Sequence, residues 1–326
     1  LLLLRANLFS GAEGLTLQPI KSQSREDSKV FPGHLQRGTA MLIMVSEAML
    51  VSFAGLVFRS MEYANIWQIS FYRGLVLIGT ISLVLCIQYN TKMFSHIFKI
   101  GVPGLLGGIL MAVAQLCYIE SMTHTTIANT VFTMSAIPFI TAILARILLK
   151  EKLRRTTICT MGIAALGIYL MISEGLEVGS LYGILMAVAA AISFSCFAVI
   201  VRQHREINML PVLLISGLVN AIFGLLLLEH SFTISFNDLM LCVLWGALIQ
   251  GIGFYLFILA AQSLVAAELT LFMLLEFSFG PVWVWLFIGE TPTVDTLIGG
   301  SLVLFSVSVL TFNELRSEEE KERHSR

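Results

Sequence analysis

The sequence predicts an all-α polytopic membrane protein: ten transmembrane helices as two inverted five-helix repeats, with both termini cytoplasmic. Three observations carry that expectation. Of the 326 residues, 57% are hydrophobic and only 13% charged, against about 45–50% and 25% in soluble chains. The apolar residues fall in successive runs close to the ~20 residues that a bilayer-spanning helix requires. One half of the chain also aligns with the other at an offset of 139 to 143 positions.

Taken in order, residues 1–38 start apolar at Leu1–Leu4 and then turn charged, with Lys21, Arg25, Glu26, Asp27 and Lys29. Four leucines fall short of the roughly 7–15-residue core of a signal peptide. This segment is expected to be a disordered cytoplasmic tail. The spans are expected at 39–58, 66–87, 98–120, 125–149, 156–173, 180–201, 210–228, 239–262, 264–288 and 294–312. The stretches 98–149 and 239–288 are nearly unbroken, but each is too long for one crossing, so each is divided. Residues 39–173 form the first repeat, 180–312 the second, and 313–326 a charged cytoplasmic tail.

Charge placement sets the orientation. With the N-terminus inside, the inner segments hold 17 of the 20 Lys and Arg residues, Arg73 and Arg146 lie within spans, and the outer loops hold only Arg59. Glu62, Glu174, Glu177, Glu229 and Asp238 dominate those outer loops instead. That bias is the signature of cytoplasmic loops.

The repeat can be read residue by residue. Ala128 to Glu151 aligns without gaps on Ala267 to Glu290 at an offset of 139, which also puts Gly107 on Gly246. Nearer the start of each half the offset is 143, with Arg73-Gly-Leu-Val on Ser216-Gly-Leu-Val and Arg59 on Arg202. Five helices per repeat is an odd number, so the second copy enters the membrane from the opposite side. Secondary transporters are commonly built this way.

Trp67-Gln-Ile-Ser-Phe-Tyr-Arg73, Ala128-Asn-Thr-Val-Phe-Thr-Met-Ser-Ala-Ile-Pro138 and Lys150-Glu-Lys-Leu153 stand in the first half. Leu275-Glu276, Gly280-Pro281, Gly289-Glu290 and Gly299-Gly300 stand in the second. In order and spacing, across about 40–312, these stretches resemble the EamA-type branch of the drug/metabolite transporter superfamily. The resemblance implies export or exchange of small metabolites, often amino acids or related compounds, in a bacterial cytoplasmic membrane. The chain departs from many relatives in having Phe277, not proline, after the glutamate of helix nine, with its proline later, at Pro281.

Ionisable groups inside spans are costly and generally face a cavity or a partner. Glu276 lies about 15 Å into helix nine, and Arg73 and Glu47 about 10 Å from the outer and inner faces, at 1.5 Å per residue. Arg73 and Glu276 are near enough in depth to pair across the helices. As functional groups, Arg73 would hold a substrate carboxylate through its planar fork. Glu276 would neutralise the substrate or titrate with a proton, and Glu47 is a further candidate. Tyr72, Tyr118, Asn129 and Phe254 are candidates for lining a substrate cavity, and Pro138 and Pro281 for kinks at which a gate bends. Gln115 and Gln250 serve equally as pore-lining groups or as helix-to-helix bonds.

No phosphate-binding Gly-x-x-x-x-Gly-Lys-Ser/Thr loop occurs, so nothing points to nucleotide-driven pumping. The six histidines fall in tails and loops, and no nucleophile and base share a depth. No catalytic group, metal or cofactor is expected. The expected partners are a small-molecule substrate, the lipid bilayer, and a proton or counter-substrate. No nucleic acid is expected, and a homodimer stays open. The competing readings are a sugar-nucleotide or vitamin carrier, which would want more buried bases for phosphate, and a scaffold that keeps a transporter fold without flux.

Overall fold

The computed structural model describes residues 35–89, 97–124, 130, 133–150, 155–173, 181–228 and 232–289, with scattered residues between 294 and 312. No strand occurs among them. In the first half, α1 is Arg37–Val51, α2 Ala54–Arg59, α3 Ile66–Tyr89, α4 Gly101–His124, α5 Ile137–Leu144 and α6 Arg155–Ser173. In the second, α7 is Leu181–Gln203, α8 Val212–Leu226, α9 Phe236–Leu244, α10 Gly253–Ala261, α11 Ala266–Phe272 and α12 Leu274–Ile288. A π-helical segment, Ala145–Leu149, continues α5, and another, Trp245–Ile252, joins α9 to α10. The described residues between 294 and 312 are helical.

Among the described residues, six helices are long and apolar enough to cross a membrane, including Arg37–Phe58, Ile66–Tyr89 and Gly101–His124. At 1.5 Å per residue, α3 and α4 each extend roughly 36 Å, more than the ~30 Å hydrocarbon core. Their boundaries have local causes. Pro103 and Pro138 stand in first turns, where the missing N–H costs nothing. The Ser235 hydroxyl caps α9 by accepting the N–H of Asp238 at 3.0 Å, a bond worth about 1 kcal/mol at a helix start.

The two halves share backbone irregularities as well as sequence. A turn at Ser135–Ala136 precedes α5, and a turn at Met273 separates α11 from α12. These breaks coincide to within a residue at the 139 offset. The same offset carries Lys150 onto Gly289, and both positions are left-handed, with φ of 55° and 82°. Helices α3 and α8 meet through Gly74 and Gly217. Helix α4 packs on α7 and α8, and α1 on α10 and α12.

The core is continuous along one end of this packing. Leu77, Ile81 and Leu85 mark successive turns of α3, and they are fully buried in the same cluster as Met41 and Met44 of α1, Phe197 and Phe257. Leu83, Ile87, Val102 and Leu181 are strongly exposed. Apolar surface of that extent is foreign to a water-soluble monomer and suits contact with lipid. All five cysteines are unpaired, as expected, but Cys86 and Cys159 are exposed instead of packed. Of the expected tails at 1–38 and 313–326, residues 1–34 and 313–326 lie outside the described residues, as do Glu151 and Glu290. The first helix starts at Arg37, two residues before its expected boundary.

Candidate functional site

Arg73 lies about 10 Å into α3, counted from Ile66, and is 2% exposed. Its guanidinium carbon stands 4.7 Å from the ring centroid of Trp245, within cation–π range. Trp245 opens the π-helical segment, and Gly246 behind it lets that segment close on α3. A Cβ on Gly246 would come within 2.8 Å of the Arg73 carbonyl oxygen. The Nε and Nη2 of Arg73 are buried without a hydrogen-bond partner among the described residues. The arginine is thus fixed against an aromatic face with donors to spare.

A cavity of about 100 Å³ opens beside it. Arg73 and Glu276 are the charged residues in its lining, and Tyr118 and Phe254 form part of its wall. Glu276 stands in the first turn of α12, immediately after the Met273 break. A helix N-terminus favours a carboxylate there. Arg73 and Glu276, near enough in depth to pair, do not do so here: among the described residues, no ion pair within 4.0 Å joins them. The two charges line one cavity without pairing with each other. Tyr118 is close enough to both to interact electrostatically with each.

The other expected site residues are distributed differently. Glu47 is buried in α1 but is not part of the cavity lining. Tyr72 points away from the cavity, donating its hydroxyl to the Phe232 carbonyl at 2.6 Å. Its ring covers the loop end of the helices, because residues 72 and 73 diverge by about 100° on a 3.6-residue turn. Asn129 lies outside the described residues. Pro138 does not kink a continuous helix: it starts α5 just after the turn at Ser135–Ala136. Pro281 sits within α12, and its side chain lies outside the described residues.

Sequence reasoning passed over Trp245, Met134, Met273 and Phe194 as lining residues. Gln115 and Gln250, left open between two roles, both line the cavity, and Gln115 also accepts a hydrogen bond from the Asn220 amide. The repeat register would have found most of them. Met111 and Gln250, Gln115 and Phe254, Met134 and Met273, and Ile137 and Glu276 are counterparts at the 139 offset, and Val51 and Phe194 at 143. Every one of these ten residues lines the cavity. Position is therefore shared between the halves while chemistry is not: Glu276 corresponds to Ile137, and Arg73 to Ser216.

Polar clamps flank the site. At the loop end, the buried Asp238 carboxylate accepts the backbone N–H groups of Glu62 and Tyr63, each at 3.1 Å, and Gln68 donates to the Thr233 carbonyl at 3.0 Å. At the opposite end, Arg37 pairs with the buried Glu268 at 2.5 Å, and Thr157 donates to the same carboxylate at 3.2 Å. Arg202 donates to the carbonyls of Ala261 and Gln262 at 3.0 and 3.1 Å. It satisfies groups that the end of α10 leaves open.

No curated protein matches the chain in sequence. A solved structure described only as "Crystal structure of protein" superposes with a TM-score of 0.70 over 86% of this chain and 99% of its own. At 16% identity that likeness shows the fold alone. The model of the EamA-like transporter family matches residues 38–173 and 181–312, nearly the limits of the two expected repeats. That family is one of transporters, not enzymes, and its multi-pass architecture suits the six apolar helices found here. The chain belongs to the EamA-like transporter family, within the drug/metabolite transporter superfamily.

Proposed function

We propose that this protein is a secondary transporter that exports or exchanges a small zwitterionic metabolite, an amino acid or a related compound, by alternating access. The observation that carries the reading is one cavity presenting Arg73 and Glu276 without joining them. A carboxylate would occupy the open donors of Arg73, and an ammonium group would neutralise Glu276. Tyr118, Trp245 and Phe254 supply apolar walls with polar edges between the charges. The volume of about 100 Å³ falls well below the roughly 300–1,000 Å³ of drug-sized pockets. Together with the single base in its lining, that disfavours a sugar nucleotide.

Alternating access has support in the symmetry of the lining. A cavity whose walls are repeat counterparts can be rebuilt from the other side when the halves exchange conformations. The cavity lies toward the end carrying Asp238, and the packed layer of Leu77, Ile81 and Leu85 fills the other half. In the inverted arrangement with cytoplasmic termini, that layer is the closed inner gate.

The test is efflux from liposomes preloaded with a mixed pool of amino acids and other metabolites, followed by mass spectrometry. Zwitterions are expected to leave selectively. Arg73→Ala is expected to slow them tenfold or more, since each tenfold is about 1.4 kcal/mol of lost contact. Arg73→Lys keeps the charge but loses the fork, and is expected to restore flux in part. Equal flux of zwitterions in wild type and Arg73→Ala would sink the reading.

A further inference from the structure

We propose that Glu47 is a proton-binding site, separate from the substrate cavity and coupled to it through Glu276. Glu47 is 1% exposed, and both carboxyl oxygens are buried without a hydrogen-bond partner among the described residues. Its neighbours along α1, Met44 and Ala48, are fully buried core residues. The elements packed on α1 are α10, α11, α12 and the π-helical segment Trp245–Ile252. Their titratable groups are Tyr255, Glu268 and Glu276. Glu268 is engaged by Arg37 and Thr157, and Arg37 itself starts α1, about 15 Å along the helix from Glu47. The group that acts electrostatically on Glu47 is the acid Glu276.

An ionised carboxylate with no partner in an apolar interior costs many kcal/mol. A carboxylic acid in the same place costs far less, so Glu47 holds a proton in this conformation. Release requires water at the carboxyl and a lower cost for its ionised form. A substrate ammonium beside Glu276 lowers that cost: it cancels the like-charge repulsion between the two acids. In the conformation of the alternating-access cycle that admits water to Glu47, one O–H bond on it breaks, the proton passes to that water, and the carboxylate keeps the electron pair. This coupling to substrate rests on the zwitterion reading above, whereas the proton site itself does not.

Infrared difference spectroscopy of the full chain in lipid, comparing water with heavy water at neutral pH and no substrate, tests the site directly. The expected result is a neutral-carboxyl C=O band that shifts on deuteration. It is expected to be present in the wild type and in Glu276→Gln, and absent in Glu47→Gln. Glutamine copies the shape of the neutral acid, so that variant is expected to fold. If it fails to fold, Glu47→Asp, which moves the carboxyl by one methylene, is expected to shift the band and not remove it. Spectra of Glu47→Gln that match the wild type, or a Glu47→Asp band unmoved, would overturn the proposal. A Glu47 band without zwitterion flux in the liposome assay would leave the proton site standing and remove the proposed substrate class.

Discussion

A Cβ placed on Gly74 would stand 2.7 Å from the carbonyl oxygen of Gly217, and one on Gly217 would stand 3.0 Å from the carbonyl oxygen of Gly74. The two glycines are counterparts at the 143 offset. Reciprocal contact between equivalent residues is what an approximate two-fold relation between two bodies produces. The position also explains why both are glycine: α3 and α8 touch backbone to backbone, with no room for a methyl group. Small residues at such crossings let membrane helices approach closely.

Either Gly74→Ala or Gly217→Ala is therefore expected to destabilise the protein by about 1–3 kcal/mol, the usual cost of overpacking. Thermal unfolding in detergent reads the loss. Because the first methyl group already pushes the helices apart, the double variant is expected to lose less than the sum of the two singles. Additive losses would mean that each glycine answers to a different neighbour.

Asp238 holds the 62–63 loop through two backbone N–H groups. Hydrogen bonds to a charged group contribute roughly 1.5–3 kcal/mol each. Asp238→Ala is expected to lower stability by about 2–4 kcal/mol and to expose the loop to protease. Asp238→Asn keeps an acceptor oxygen and is expected to lose about half as much. Digestion of Asp238→Ala at the wild-type rate would show that the loop is anchored elsewhere.

The charge bias of 17 to 1 across the expected loops predicts that both termini are cytoplasmic. A reporter fused after Glu177 is expected to be accessible from outside the cell, and one after Arg155 from the cytoplasm alone. The reverse pattern, read by impermeant labelling, would invert the orientation and put the packed layer of Leu77, Ile81 and Leu85 on the outer side of the cavity.

Much of the fold was legible because hydropathy and a repeat offset survive without side-chain detail. Among the described residues the helices lie close to expected spans, six of them long and apolar enough to cross a membrane where ten crossings were expected, and the offset relates most of the cavity lining. The breaks at Ser135–Ala136 and Met273 were not legible, since one or two non-helical residues leave an apolar run unbroken. The clamps were hidden for a related reason. Arg202 and Asp238 look like ordinary loop charges, yet each is buried against backbone groups from a distant part of the chain. Arg37 was assigned to a tail, and its partner Glu268 lies 231 positions away. Arg73 and Glu276 were legible as costly charges, whereas the gap between them depends on the π-helical segment that carries Trp245.

The left-handed residues that end α5's π-helical extension and α12 divide one task unequally. Gly289 adopts its backbone freely, whereas Lys150 gives up about 1–2 kcal/mol for the same turn. In the first copy the strain is tolerated by a residue whose charge tells the membrane which side it faces. In the second copy the turn is relaxed, and the position is silent about sidedness. Shape has been kept in both halves, but the address is written on only one of them.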